Sequence, residues 1–146
     1  MRRKTEVSIE QELSQLPLFA DCRPNELRRL RTLGTRVRVG EGRRLVVAGR
    51  RGAEMVLVLS GEASCFVGGA EVARFGVGEF FGEVALLDGG PRTATVVART
   101  DMEVLVLNRF EFEALIEVAP SIANRMLVSM AQRLRAANRL TLVAPV

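Results

Sequence analysis

Three polar side chains stand out in the run of residues 80–96, which is otherwise rich in apolar residues and glycine: Glu83, Arg92 and Thr93. The guanidinium of Arg92 carries a planar fork of donors that suits a phosphate. Glu83 would repel a phosphate, but its carboxylate is suited to accepting hydrogen bonds from sugar hydroxyls. Together the two charged residues indicate a ligand that has one phosphate beside a ribose.

The elements that would position these side chains can be predicted from the glycines around them. Gly76-Val77-Gly78 is a tight link, and the residues from Gly82 to Leu87 then favour one short helical turn. The free N–H groups at the start of such a turn attract an anion. A loop of turn-forming residues, Asp88-Gly89-Gly90-Pro91, leads to Arg92.

This run resembles the phosphate-binding cassette of the cyclic nucleotide-binding domain family, whose pattern is F-G-E-x-A-L, a short spacer and P-R-[ST]-A-T-V. The matching residues are Phe81-Gly82-Glu83, Ala85-Leu86 and Pro91-Arg92-Thr93-Ala94-Thr95-Val96. The resemblance implies that Glu83 binds the ribose 2′-hydroxyl and that Arg92 binds the cyclic phosphate. It also implies that Thr93 completes the phosphate site with the turn formed by Gly82, Glu83, Val84 and Ala85.

The composition predicts a single globular domain. The chain has 146 residues, of which 48% are hydrophobic, which is enough to enclose a core. Its apolar runs, such as Met55–Leu59, are far shorter than the ~20 residues that span a bilayer. No apolar run follows the charged residues 1–4, so we expect no secretory signal and a cytoplasmic protein.

The residue types argue against an enzyme or a metal protein. Histidine is absent, which removes nucleophile pairs and metal sites that depend on it. The single lysine is Lys4, and the two cysteines, Cys22 and Cys65, are far apart. We therefore expect a receptor that has no catalytic residues, no metal and no disulfide.

The basic charge balance leaves a nucleic-acid-binding protein as an alternative. The net charge is +4 and the pI is about 10.3. However, the arginines are spread along the chain, and there is no Trp or Tyr to stack on bases. A solvated charged surface is the better interpretation, and we expect no direct DNA binding.

Along the chain, a helical region, a region of short β segments and a second helical region follow one another, which predicts an α+β, mainly β, fold. Residues 1–7 form a tail; residues 8–34 form helices, with Ser8 as an N-cap and Pro24 in a first turn. Residues 35–108 contain short β segments separated by turns, and residues 109–141 are helical. Seven segments read as strands: 36–39, 43–47, 55–59, 63–67, 70–75, 94–98 and 102–107. Their spacing indicates an antiparallel sandwich or roll. The resemblance implies an eight-stranded, jelly-roll-like β-roll with N-terminal helices and a long C-terminal helix.

The C-terminal region predicts two helices. Asn108 is expected to cap the first, which should end before Pro120, and Ser121 to cap the second. On the second helix, alternating steps of three and four connect Leu127, Met130, Leu134, Ala137 and Thr141. Such a seam suits a partner helix and predicts a homodimer, although it could also pack on the β-roll.

The run Phe112–Leu134 resembles the long helix of catabolite-activator-type regulators. The resemblance implies that the next turn reaches the purine, with Leu134 packing against the ring and Asn138 pairing with the adenine edge. Hydroxyl residues are usual where this chain has Ala137 and Asn138. Thr93 is compatible with cAMP or cGMP, and we favour cAMP. The expected response has two steps: the cassette closes on phosphate and ribose, and the last helix then covers the base. A protein-interaction domain with an empty cassette remains the other alternative.

Overall fold

The computed structural model describes residues 10–140, which form two compact units. The β unit is Thr32–Ala114, and the helical unit comprises the described residues before Thr32 and after Ala114. The prediction of a single domain stays a prediction. The predicted tail, Ser8 and Thr141 lie outside the described residues.

The β unit consists of two four-stranded antiparallel sheets, with the strand orders β1-β8-β3-β6 and β2-β7-β4-β5. The strands are β1 (Thr35–Val39), β2 (Arg44–Val46), β3 (Glu54–Ser60), β4 (Ala63–Val67), β5 (Ala70–Phe75), β6 (Phe80–Phe81), β7 (Thr95–Ala98) and β8 (Met102–Asn108). These eight strands confirm the predicted β-roll. The sequence analysis missed β6, because a strand of two residues has no periodicity to detect.

The core of the β unit lies between the two sheets. β3 buries five consecutive residues, and it is a central strand that pairs with β8 on one side and with β6 on the other. Val58 and Val104 from the first sheet pack with Ala63 and Val96 from the second, and each is at most 2% exposed. Burying a valine side chain contributes about 1.5–3 kcal/mol. This core fixes the ends of β6 and β7, which are the two strands that flank residues 82–94.

The edges of the sheets are short or charged. Gly68 and Gly69 form the predicted hairpin turn between β4 and β5 with φ values of +60° and +84°. β5 is an edge strand that exposes five of its six residues, and its Arg74 Nε donates to Glu71 at 2.6 Å. On the edge strand β1, Arg36 pairs with Glu103 of β8 at 3.1 Å.

The helices largely follow the prediction. Residues 10–14 form the described part of α1, a 3-10 turn covers Pro17–Phe19, and the others are α2 (Pro24–Leu30), α3 (Glu83–Asp88), α4 (Arg109–Val118) and α5 (Pro120–Leu140). The backbone N–H of Glu111 donates to Asn108 Oδ1 at 2.8 Å, which confirms the predicted cap of α4. The prediction that Ser121 caps α5 is wrong by two positions, because the residue that precedes the first helical residue is Ala119. α5 begins at Pro120, because proline is favoured in a first turn and its missing N–H costs nothing there.

The helical unit packs α5 against the 3-10 turn through buried side chains such as Phe19 and Ile122. Arg125 donates two hydrogen bonds to the carboxylate of Asp21, at 2.9 and 3.2 Å. This ion pair joins α5 to the segment that precedes α2. Farther along α5, Leu127 and Leu134 are 64% and 62% exposed, so the predicted apolar seam is open to solvent at these two positions.

Candidate functional site

The candidate site is the connection between β6 and β7, which contains α3. Gly82 precedes α3 with a φ of +88°, a left-handed conformation that glycine adopts without steric cost. A Cβ atom on Gly82 would lie 2.8 Å from Arg92 Nη1 and 2.9 Å from the carbonyl oxygen of Glu54. Gly82 is therefore required both for the turn and for the close approach of Arg92.

Glu83 is buried, with only 5% of its surface exposed, and it is the one charged residue among those described that reaches this degree of burial. Its Oε1 atom is buried and accepts no hydrogen bond from the described residues. Glu83 is not without a partner, because the residue takes part in a further interaction within the described chain. Burying an ionised carboxylate costs several kcal/mol unless partners compensate. A carboxylate has about four lone-pair positions, so Glu83 can accept hydrogen bonds from a sugar hydroxyl.

The guanidinium of Arg92 is close to the start of α3. Its Nη1 donates to the carbonyl oxygen of Gly82 at 3.1 Å. Burial lowers the pKa of Arg92, while the negative charges of Glu54 and Glu83 act to raise it. Arginine nonetheless stays protonated in proteins, so the site keeps its positive charge. The electrostatic interaction of Arg92 with Glu83 shows that the two predicted site residues lie in one neighbourhood.

The backbone of Arg92 is held by the loop between β2 and β3. The N–H of Gly49 donates to the carbonyl oxygen of Arg92 at 2.9 Å, and the N–H of Arg92 donates to the carbonyl oxygen of Arg50 at 2.8 Å. Arg51 and Pro91 form an isolated antiparallel bridge next to these bonds. The sequence analysis did not predict that this loop or Glu54 belongs to the site, because glycines and arginines between two strands are also typical of an ordinary turn.

The other predicted cassette residues differ in exposure. Ala85 is buried, whereas Val84 and Thr93 are exposed. A cavity of about 330 Å³ borders the segment, lined among others by Ala85, Gly89 and Gly90 and by the side chains of Arg51 and Arg109. Its volume is at the lower end of the range for small-molecule pockets. Of the predicted site residues, Ala85 lines this cavity.

The C-terminal end of α3 is joined to the start of α4. Arg109, the first residue of α4, donates from Nη2 to the carbonyl oxygen of Leu86. The last carbonyls of a helix have no partner within the helix, and a cation there is favourable. Arg109 therefore fixes the end of α3 that is opposite Glu83.

Leu134 and Asn138, the predicted base contacts, lie on α5 in the helical unit. Leu134 is largely exposed and Asn138 is partly buried. The structure brings Glu83 and Arg92 together within the β unit, whereas the contacts of Leu134 and Asn138 with a base stay predictions.

The described part of the chain contains neither a candidate metal site nor a helix that could cross a membrane. Residues 10–140 contain no group of three or more acidic, histidine or cysteine side chains that could hold a metal ion. None of the helices found there combines the length and the apolar character needed to cross a bilayer. Cys22 and Cys65 are both free thiols.

Comparison with protein families gives a match over most of the β unit. The family model described as "Cyclic nucleotide-binding domain" matches residues 36–118. These residues contain both sheets almost completely, the whole connection between β6 and β7, and α4.

Two curated relatives match most of the chain. The cyclic AMP receptor protein of Thermus thermophilus is 37% identical over 127 residues, which cover 84% of this chain and 59% of the relative. The cAMP-dependent protein kinase regulatory subunit of Aspergillus niger is 34% identical over 115 residues, which cover 77% of this chain and 28% of the relative. The chain thus spans between about a quarter and three fifths of the length of these relatives.

A solved structure, cAMP-bound PfPKA-R (141–441), shares the fold. Its TM-score is 0.84 at 24% sequence identity, and the match covers 95% of this chain and 48% of the other. This likeness concerns the fold, since the identity is low.

Proposed function

The chain belongs to the cyclic nucleotide-binding domain family, and we propose that its cassette binds a cyclic nucleotide, cAMP in preference to cGMP. Arg92 binds the cyclic phosphate, and Glu83 accepts a hydrogen bond from the ribose 2′-hydroxyl. This proposal rests on one observation: the buried carboxylate of Glu83 and the half-buried guanidinium of Arg92 lie close together at the start of α3.

Desolvation of these two groups explains how the site would distinguish its ligand. Burial already lowers the pKa of Arg92, so part of the cost of removing water from the guanidinium is met before the ligand arrives. A phosphate then gains charge-assisted hydrogen bonds, each contributing ~1.5–3 kcal/mol. A ligand without the ribose hydroxyl would leave Glu83 buried without that donor, which is unfavourable.

The preference for cAMP is supported by the two curated relatives, both of which are named for cAMP. In this proposal Leu134 packs against the purine ring, and the amide of Asn138 donates to and accepts from the adenine edge. Thr93 and the backbone amides of Gly82, Val84 and Ala85 complete the phosphate site.

The proposed output is regulatory and not catalytic. When the cassette holds the phosphate and ribose, α5 moves to cover the base. The ligand drives this change only to the extent that it binds the closed state more tightly than the open one. The exposed side chain of Leu127 supports a further part of the proposal, a homodimer formed through α5.

The test is a comparison of thermal unfolding with cAMP, with cGMP and with 5′-AMP as an open-ring control. A ligand present at 100 times its dissociation constant adds about 2.7 kcal/mol to the free energy of unfolding. We expect the largest increase in Tm with cAMP, a smaller one with cGMP and none with 5′-AMP. An unchanged Tm with both cyclic nucleotides at millimolar concentration would refute the proposal and favour a protein-interaction domain with an empty cassette.

A further inference from the structure

The guanidinium of Arg92 occupies a narrow slot bordered by two glycines. A Cβ atom on Gly52 would lie 2.2 Å from Nε, 2.4 Å from Cζ and 2.5 Å from Nη2 of Arg92. A Cβ atom on Gly82 would lie 2.8 Å from Nη1, on the other edge of the same group. Real Cβ contacts are essentially never shorter than 3.0 Å, so neither position has room for a side chain while Arg92 keeps this conformation.

The two glycines are needed for different reasons. Gly82 has a φ of +88°, which disfavours other residues whatever the space around it. Gly52 is not among the glycines with positive φ, so its backbone conformation is accessible to alanine. At Gly52, therefore, the guanidinium of Arg92 is what leaves no room for a Cβ atom.

The slot cannot widen easily, because the backbones on its two sides are hydrogen-bonded to each other. The bonds from Gly49 to Arg92 and from Arg92 to Arg50 hold the loop that contains Gly52 against the backbone of Arg92. A Cβ atom added to Gly52 would then displace the flexible guanidinium and not the loop. The displaced guanidinium would also lose its bond to the carbonyl oxygen of Gly82.

We propose that Gly52 is a positioning residue for the phosphate site: its missing side chain keeps the guanidinium of Arg92 in the conformation that receives the phosphate. This inference rests on the proposed function and extends it to a residue outside the cassette, residues 80–96. Gly52 acts through Arg92 and does not itself contact the ligand.

The first experiment compares the affinity of Gly52→Ala and Gly40→Ala for cAMP by titration calorimetry. Gly40 is a matched control, because nothing lies within 4 Å of its Cβ position and its φ is not positive. Losing one charge-assisted hydrogen bond corresponds to roughly a tenfold to a hundredfold weaker affinity, and we expect this for Gly52→Ala. We expect Gly40→Ala to bind like the original chain. Equal affinities of the two variants would overturn the inference.

The second experiment is a double-mutant cycle on Tm without any nucleotide, and it remains informative if Gly52→Ala binds no ligand or if the proposed function fails. If the collision with the guanidinium causes the loss, Gly52→Ala lowers the Tm of the original chain but not that of the Arg92→Ala variant. In that background, alanine at position 52 should be neutral or slightly stabilising. An equal decrease in both backgrounds would overturn the inference. Absence of cAMP binding by the original chain would instead refute the proposed function, and the cycle would still test the slot.

Discussion

The cassette and α5 depart from the usual distribution of residues in opposite directions. The cassette buries charge: Glu83 is 5% exposed, and Arg92 is half-buried beside it. α5 exposes large apolar side chains: Leu127 and Leu134 are each more than 60% exposed. A buried charge is unfavourable unless partners compensate for it. Single exposed apolar residues are common, but Leu127 and Leu134 lie seven positions apart on one face of α5 and are informative as a stripe. The difference agrees with the two proposed partners, a small polar ligand for the cassette and a second copy of the chain for α5.

The two regions also differ in how far contacts within the chain already fix their side chains. The Arg92 side chain is held by a hydrogen bond to Gly82, and its backbone accepts one hydrogen bond from the loop between β2 and β3 and donates one to it. The hydrogen bonds within α5 satisfy its backbone, but they do not decide what covers its exposed side chains. The cassette therefore resembles a preorganised site, whereas the specificity of the proposed α5 interface would depend on the residues of the second copy.

The largest expected effect is that of Arg92→Ala on cyclic nucleotide affinity. Removing the guanidinium takes away charge-assisted hydrogen bonds to the phosphate, and we expect an affinity loss of about a hundredfold. Titration calorimetry with cAMP measures it, and Arg44→Ala, an exposed arginine on β2, is the control. Equal affinities of the two variants would show that the buried charge of the cassette has another role.

A tenfold effect is expected for Glu83→Gln, and it should depend on the ribose 2′-hydroxyl. A neutral amide accepts a weaker hydrogen bond than a carboxylate, so the variant should bind cAMP about tenfold more weakly. With 2′-deoxy-cAMP, which lacks that hydroxyl, Glu83→Gln should bind no more weakly than the original chain. If the variant loses the same factor with both nucleotides, Glu83 does not contact the hydroxyl.

For α5, we expect Leu127→Glu to weaken self-association without lowering the Tm of the monomer. A charge on the apolar seam opposes helix pairing, while Leu127 is too exposed to support the fold. Analytical ultracentrifugation should show a dissociation constant raised roughly tenfold, as expected for a loss of about 1.4 kcal/mol. Gln132→Glu, at an exposed polar position of the same helix, should leave it unchanged. If the original chain is a monomer at high concentration, the apolar seam is not a homodimer interface.

The smallest effect is expected at the exposed ion pair of the helical unit. The hydrogen bond from Arg125 lowers the pKa of Asp21 below its ordinary value. The stabilisation by this pair is therefore present above the unfolded-state pKa and is lost as the pH falls through the lowered folded-state pKa. Asp21→Asn should lower Tm slightly at about pH 7, and the difference in Tm between the two proteins should shrink as the pH is lowered toward about pH 2. A constant difference between the two proteins across this range would show that the pair does not contribute.

The sequence predicted the parts of the fold whose signals are local. Seven of the strands, the turn at Gly68 and Gly69 and the cap at Asn108 follow from residue type and spacing. The cassette pattern also predicted that Glu83 and Arg92 belong to one site. The slot at Gly52 could not be predicted, because it depends on a contact between residues 40 positions apart. β6 was missed because it is too short to show a pattern, and its pairing with β3 defines it.

The edges of the two sheets bear on how the chain avoids aggregation. An exposed strand edge offers unpaired backbone groups to which another chain could add a strand. Here β2 and β6 are only three and two residues long, β1 carries Arg36 and Arg38, and β5 carries the pair of Glu71 and Arg74. Short or charged edges oppose the growth of a continuous sheet between molecules. Addition of a strand from a second molecule is therefore disfavoured along each edge of the β unit.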